Sequence, residues 1–330
     1  MPAFDMPLDD LERYRPDVPE PGDFDAFWTG TLADARFAPP LLACSRVSDT
    51  GLTGVDTWDV TFAGFGGHPV RAWYTRPAGT DGVELPAVVE YLGYGRGRGL
   101  PQERLIWPVA GYAHLLMDSR GQGATYGAGG DTPDPVGSGP ATGGMLTRGL
   151  LDPGDHYYRR LFTDGARAVD AVRALPGVDP ARVAVVGNSQ GGGVALAVAG
   201  LVPDVAAVVA NVPFLAHIRR ALDLTDVPPY GELATYLSVH RNHTDRVFHT
   251  LGYLDVVGHA RRGRAPALFS AGLRDTVCPP STVYAAYAAY GCRAGTSTID
   301  KQITAYPWNG HEGGDALQSA RQLHWLRTTL

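Results

Sequence analysis

Lysine is almost missing from this 330-residue sequence: Lys301 is the only one, so 27 of the 28 basic residues are arginines. That excess points either to a GC-rich coding bias or to anion recognition. Against 34 acidic residues the net charge is −6, and no basic stretch offers the footprint that nucleic acid requires. Cysteine is scarce as well. Cys44, Cys278 and Cys292 are too few for a disulfide framework, and their spacing matches no zinc motif. No apolar run approaches the ~20 residues of a membrane span. Residues 1–10 are acidic and show neither a basic nor an apolar leader segment, so the expectation is a cytoplasmic protein without a membrane partner.

Glycine and proline are in excess instead: 42 and 26 residues, about one in five, where about 12% is usual. Glycine shows no three-residue period, which excludes collagen, and 44% apolar against 19% charged residues excludes disorder. A globular chain with many tight turns is left. Its length permits two domains, but the pattern along it reads as one domain over 1–330.

Residues 1–40 read as an N-terminal wrap: a bend at Pro16, Pro19 and Pro21, then a helix over Asp23–Phe37 with Phe24, Trp28 and Leu32 on one face. Strands are expected over Asp56–Ala63, Pro69–Thr75, Pro86–Leu92 and Tyr112–Met117. Residues 121–144 are too rich in glycine and proline for regular structure and read as a long loop. Leu161, Phe162, Ala166, Val169, Val172 and Leu175 share a helical face that Pro176-Gly177 ends. A buried strand over Arg182–Val186 runs almost directly into a helix over Gly191–Ala199. Strands Val205–Asn211, Ala265–Ala271 and Ser297–Tyr306 follow, with helices over Ser281–Tyr290 and Asp315–Arg327. This alternation predicts an α/β fold with a mostly parallel central sheet covered by helices on both faces. Residues 213–263 break the rhythm with about fifty residues, where such connections take about 2–6. They read as an inserted helical excursion that caps a site or makes a subunit contact.

The strongest local signal is Gly187-Asn188-Ser189-Gln190-Gly191, set between a buried strand and a helix, the context of a nucleophile elbow. Chain reversal there needs Gly187 and Gly191 for close approach and leaves the Ser189 hydroxyl above the sheet edge. Ser270, inside a strand and without the leading glycine, is the weaker candidate. A serine needs a base and an orienting acid, and in this fold the acid precedes the histidine along the chain. Asp275 lies just past the strand Ala265–Ala271, with Asp255 the next choice. His311 sits in the Gly-rich loop after the last strand. His324 lies mid-helix beside Trp325 and reads as packing, and His240, His243 and His249 fit no zinc signature. The oxyanion needs two backbone donors. Gln190 supplies one, and Tyr94, in the loop after Pro86–Leu92, is the choice for the other. The Gly-x-Gly-x-x-Gly fingerprint finds no frame in that loop, because the sixth position is Arg98, Leu100 or Gln102. No metal or cofactor is called for. Arg120 stands equally as a structural residue or as a clamp for a substrate carboxylate.

Three motifs in order, Arg120-Gly121-Gln122, Gly187 to Gly191 and His311-Glu312, make the chain resemble carbohydrate esterase family 7, the acetyl xylan esterases and cephalosporin C deacetylases of the α/β-hydrolase superfamily. Phe4-Asp5-Met6-Pro7, the Phe24–Trp28 helix and Cys278-Pro279-Pro280 extend the likeness over nearly the whole chain. The resemblance implies a Ser189, Asp275, His311 triad, oxyanion donors at Tyr94 and Gln190, and structural support of the elbow from Arg120 and Gln122. It also implies a cytoplasmic homohexamer whose subunits meet through the 213–263 excursion. Leu92 departs from the pattern, since members often carry histidine there. The expected activity is serine-dependent removal of acetyl groups from small carbohydrates such as acetylated xylo-oligosaccharides, and from cephalosporin C. The alternatives are a serine peptidase of the prolyl oligopeptidase kind and an inactive hydrolase fold used for binding.

Overall fold

The computed structural model describes residues 4–136, 144–295 and 298–330. Short valine- and alanine-rich segments pair into one nine-stranded sheet: β1 Leu41–Val47, β2 Val55–Ala63, β3 Pro69–Pro77, β4 Leu85–Tyr91, β5 Ala113–Met117, β6 Val178–Asn188, β7 Ala207–Asn211, β8 Ala267–Gly272 and β9 Lys301–Tyr306. The order is β1-β2-β3-β5-β4-β6-β7-β8-β9. Strands β4 to β9 run parallel, while β1, β2 and β3 form an antiparallel meander that joins through β5. This is the α/β-hydrolase arrangement.

Helices are α1 Leu8–Arg13, α2 Phe24–Ala35, α3 Ile106–Val109, α4 Tyr157–Arg173, α5 Gln190–Leu201, α6 Ile218–Leu224, α7 Tyr230–Val239, α8 Thr244–Gly252, α9 Val256–Ala260, α10 Pro280–Ala289 and α11 Asp315–Thr329. Successive strand residues face opposite ways, so Val89, Val185, Val208 and Phe269 join the larger core with α4, α5, α9 and α10. Val88, Ala184, Val209 and Leu268 face the other side with Trp107, Trp325 and Leu326 from α3 and α11. Helix α5 is buried from Gln190 to Ala199. Its neighbour α4 comes close because of Gly165, where an added Cβ would lie 2.8 Å from Val194 Cγ1 and 2.9 Å from Val198 Cγ2. Among the described residues no helix is long and apolar enough to cross a membrane.

The N-terminal segment closes over the excursion. Trp28 Nε1 donates to Tyr253 O at 3.0 Å, and Glu20 accepts from Arg261 at 2.9 Å and Arg262 at 3.0 Å. Phe24, Trp28 and Phe162 surround the ring of His259 at 5.0, 5.0 and 5.4 Å. Within the excursion Asp255 accepts from the backbone of His217, Ile218 and Val257 at 2.8–3.0 Å.

Strand β1 and helices α1 and α3 go beyond the sequence pattern. Strand β1 is largely exposed and has no alternation to announce it; pairing with β2 makes it a strand. Helix α1 is a six-residue turn seated against α10. Helix α4 starts at Tyr157, ahead of the first periodic residue, because His156 caps it by accepting Tyr158 N–H at Nδ1. The last strand starts at Lys301, and Ser297 of the expected span lies outside the described residues. Residues 121–136 hold no helix or strand, and 137–143 of the expected loop are likewise outside.

His156 and His259 are fully buried and neutral. Burial first holds each down to about 3, with Arg160 and Arg262 adding to it respectively. Below the ordinary value of 6.5 the unfolded chain takes up protons that the folded chain refuses. Stability is therefore lost as pH falls from 6.5 towards 3. We expect His259→Leu to make the unfolding free energy less pH-dependent between these limits, by up to about 1.4 kcal/mol per pH unit. Urea unfolding at a series of pH values measures this.

Candidate active site

Ser189 sits at φ 58°, ψ −120°, a region that non-glycine residues rarely adopt. Three backbone bonds of 3.0 Å hold it there: its N–H donates to Asn211 O, and its carbonyl accepts from Gly193 N and Phe214 N. The flanking glycines are demanded by contact. A Cβ on Gly187 would lie 2.1 Å from the carbonyl of Gly191, and one on Gly191 would lie 2.1 Å from Tyr91 O. The turn from β6 into α5 thereby brings the hydroxyl up at the carboxyl edge of the parallel strands.

The loops after β8 and β9 reach the same edge side by side. Leu273 N donates to Tyr306 O and Arg274 N to Asn309 O, both at 3.0 Å. Asp275 leaves the first loop and is fully buried. Its Oδ1 accepts from Val277 N at 2.8 Å and Cys278 N at 2.9 Å, which leaves Oδ2 facing His311 Nδ1 at 2.8 Å. His311 Nε2 lies 2.8 Å from Ser189 Oγ. With the Nδ1 proton committed to the carboxylate, Nε2 carries the lone pair that can accept the serine proton.

Gln190 opens α5, and Tyr94 lies in the loop after β4. Among the described residues neither backbone amide donates to a protein acceptor. Glutamines fix both segments. Gln190 Nε2 donates to Leu92 O at 3.2 Å, and Gln122 Oε1 accepts from Gly95 N at 2.6 Å. Gln122 Nε2 donates to Gln190 Oε1 at 2.9 Å and to Tyr157 OH at 2.7 Å, while Tyr158 OH donates to Gln190 Oε1 at 3.0 Å. The brace at Leu92 runs through its backbone carbonyl, which any residue at that position supplies. The Tyr94 hydroxyl donates to Glu232 on α7 at 2.9 Å.

Arg120 is buried and cannot clamp a substrate. Its Nε and Nη2 donate to Asp164 at 2.5 and 2.7 Å, and its Nη1 to Asp134 at 3.3 Å. Ser270 is buried and donates to Asn211 Oδ1 at 3.2 Å. Asp255 is consumed by backbone N–H groups, as above. His240 and His243 stack on each other at 4.9 Å. The donor set with metal-compatible spacing among the described residues is Asp275, Cys278 and His311.

Sequence and structure comparisons agree on one relationship. The model of the acetyl xylan esterase (AXE1) family matches residues 1–329. The chain belongs to that family. The acetyl esterase Axe7A of Xylanibacter ruminicola is 30% identical over 281 residues, 83% of this chain. The match takes in 61% of Axe7A, so the chain spans about six-tenths of that relative. Among solved structures, the acetyl xylan esterase of Paenibacillus sp. R4 is 34% identical with a TM-score of 0.91, covering 98% of this chain and 100% of the other. Acetyl xylan esterase 1 of Thermoanaerobacterium sp. JW/SL YS485 is also 34% identical, with a TM-score of 0.86 over 98% and 99% of the two chains.

Several supporting groups of this AXE1-family site are not marked in the sequence. Asp164 and Asp134 neutralise Arg120, and Asp164 Oδ1 also accepts Phe65 N at 2.8 Å. Asp118, buried at the end of β5, gathers the backbone N–H groups of Arg98, Asp131 and Thr132 at 2.6–2.9 Å. An acid directly after a buried strand was its one signal. Tyr157 and Tyr158 carried none, because the residues they brace arrive from distant segments. Removing one partner of a buried pair strands the other charge, so Arg120→Met should cost about 3–5 kcal/mol. Denaturant midpoints of wild type and variant measure it.

Proposed function

We propose that this chain is a serine-dependent carboxylic ester hydrolase that removes short acyl groups, acetyl above all, from carbohydrates such as acetylated xylo-oligosaccharides, and from cephalosporin C. The observation that carries the reading is the unbroken chain from Ser189 Oγ through His311 to Asp275, with both contacts at 2.8 Å. The names of the relatives supply the acetyl and xylan part of it.

In this reading His311 Nε2 takes the Ser189 proton as Oγ attacks the ester carbonyl. The resulting oxyanion lies against the Tyr94 and Gln190 amides. Collapse of the tetrahedral intermediate breaks the bond to the alcohol, which leaves with the proton from His311. Water then enters, gives a proton to His311 and cleaves the acyl-enzyme, releasing the carboxylic acid and restoring Ser189. Asp275 holds the ring in its tautomer and offsets the imidazolium charge. Gln122 and Gln190 act as positioning residues by fixing the two amides.

The 1–330 chain acts in this proposal as one domain, in a cytoplasmic homo-oligomer, a hexamer by resemblance, with residues 213–263 as cap or subunit contact. A monomer by light scattering would remove the assembly from the proposal. Ser189→Ala should lower kcat on 4-nitrophenyl acetate by at least about 10³-fold. Wild-type turnover should fall as the acyl chain lengthens from acetyl to octanoyl. Near-normal turnover by Ser189→Ala would overturn the esterase mechanism, and a flat acyl profile would overturn the acetyl assignment.

A further inference from the structure

Cys278 is the one nucleophilic side chain at the site that the mechanism leaves unused. It follows Asp275 by three residues in a tight turn and is fully buried. Its N–H donates to Asp275 Oδ1 at 2.9 Å, which pins the thiol beside the carboxylate. One donor atom each from Asp275, Cys278 and His311 lie within 4.8 Å of one another. The other two cysteines, Cys44 and Cys292, are exposed and belong to no such group among the described residues.

We infer that Asp275, Cys278 and His311 form a binding site for a thiophilic divalent cation, Zn²⁺ or Cd²⁺, and that occupancy switches the triad off. The donor set is the kind such ions prefer: one thiolate, one imidazole and one carboxylate, with a fourth position left for water. Around a tetrahedral ion these donors stand about 3.4–3.6 Å apart. Reaching that spacing asks the Asp275–His311 contact of 2.8 Å to open and the widest pair, within 4.8 Å, to close, by movements on the order of 1 Å. His311, whose side chain is 30% exposed where Asp275 is sealed, is the route of entry.

The chemistry of inhibition follows from the ring. An ion on Nε2 occupies the lone pair that would receive the Ser189 proton. An ion on Nδ1 moves the ring proton to Nε2, with the same result. Either way the base is lost. Binding deprotonates the thiol, and that proton goes to solvent.

The inhibitory half of this inference rests on the proposed esterase mechanism; the binding half does not, and the two are read separately. Binding is measured as the ultraviolet cadmium–thiolate band on titrating the full chain with Cd²⁺ alone. One equivalent should suffice, and the band should persist in Cys44→Ser/Cys292→Ser, where Cys278 is the only thiol. Loss of the band in that double variant overturns the site. Inhibition is measured on 4-nitrophenyl acetate, with recovery on adding a chelator. Cys278→Ala keeps the backbone N–H that holds Asp275, so its turnover should stay within about threefold of wild type while half-inhibition moves to more than about tenfold higher Cd²⁺. Equal sensitivity of wild type and Cys278→Ala overturns the switch even where the band is seen. A wild type with the band but no esterase activity leaves the site standing and sinks the esterase reading instead.

Discussion

Ser189 is held in a conformation that the residue itself disfavours, and much of the surrounding architecture is explained by what holding it requires. Strain of this kind costs about 1–3 kcal/mol and persists only where neighbours over-determine it. Here the neighbours are three strands and a helix packed at backbone contact. Gly191 lies against the Tyr91 carbonyl, Gly187 against Gly191, and Gly192 has room for no Cβ beside Asn211 O, which an added atom would meet at 2.8 Å. Parallel pairing of β4 with β6 and of β6 with β7 fixes those contacts. A side chain at either flanking glycine would force the strand ends apart and release the very constraint that presents the hydroxyl.

The same edge must also hold its loops still, and the chain does so with neutral amides close to Ser189 and ion pairs further out. Gln122 and Gln190 interlock the β4 loop, α4 and α5 without placing a net charge beside the Tyr94 and Gln190 backbone amides. Arg120 lies one layer behind, where Asp164 and Asp134 neutralise it and Tyr157 OH donates to its carbonyl at 2.7 Å. The order matters physically. A bare guanidinium at the surface of the site would compete for any anion formed there, whereas a paired one only stiffens the loop. Desolvating such pairs seldom adds net stability, so the buried arginine is better understood as setting the path of the 118–134 loop.

How much of this was legible in the sequence follows from how local each signal is. Gly187 and Gly191 announce the elbow because steric need at a turn is written into adjacent residues. Asp275 and His311 could be placed because each follows a segment that reads as a strand, and parallel strands deliver their exits to one edge. Strand β1 escaped because an exposed edge strand carries no burial pattern. Asp164 and Tyr158 escaped for a different reason. They sit on a helix whose apolar face was plain, but which groups they would meet depends on segments, the Arg120 loop and the start of α5, that lie more than thirty residues away. Cys278 was visible as part of a Cys-Pro-Pro turn, yet its neighbourhood with His311 depends on β8 and β9 being adjacent.

The near absence of lysine acquires a physical sense in the same terms. Arg76, Arg98, Arg120, Arg160 and Arg167 are each no more than 5% exposed. Each spans several acceptors in different directions: Arg98 meets Asp59, Asp131 and Ala72 O, and Arg167 meets Asp170, Ala38 O and Ala63 O. A planar fork with five donors can do that, and an ammonium, which concentrates its donors at one point, cannot. Lys301 is the complementary case. Its Nζ donates to the carbonyls of Tyr287, Ala288 and Tyr290 at 2.8–3.1 Å, closing the end of α10, where three acceptors converge on one place. At these buried positions the choice between the two cations tracks the geometry of the acceptors, and a lysine at any of the five arginine positions would leave acceptors without donors.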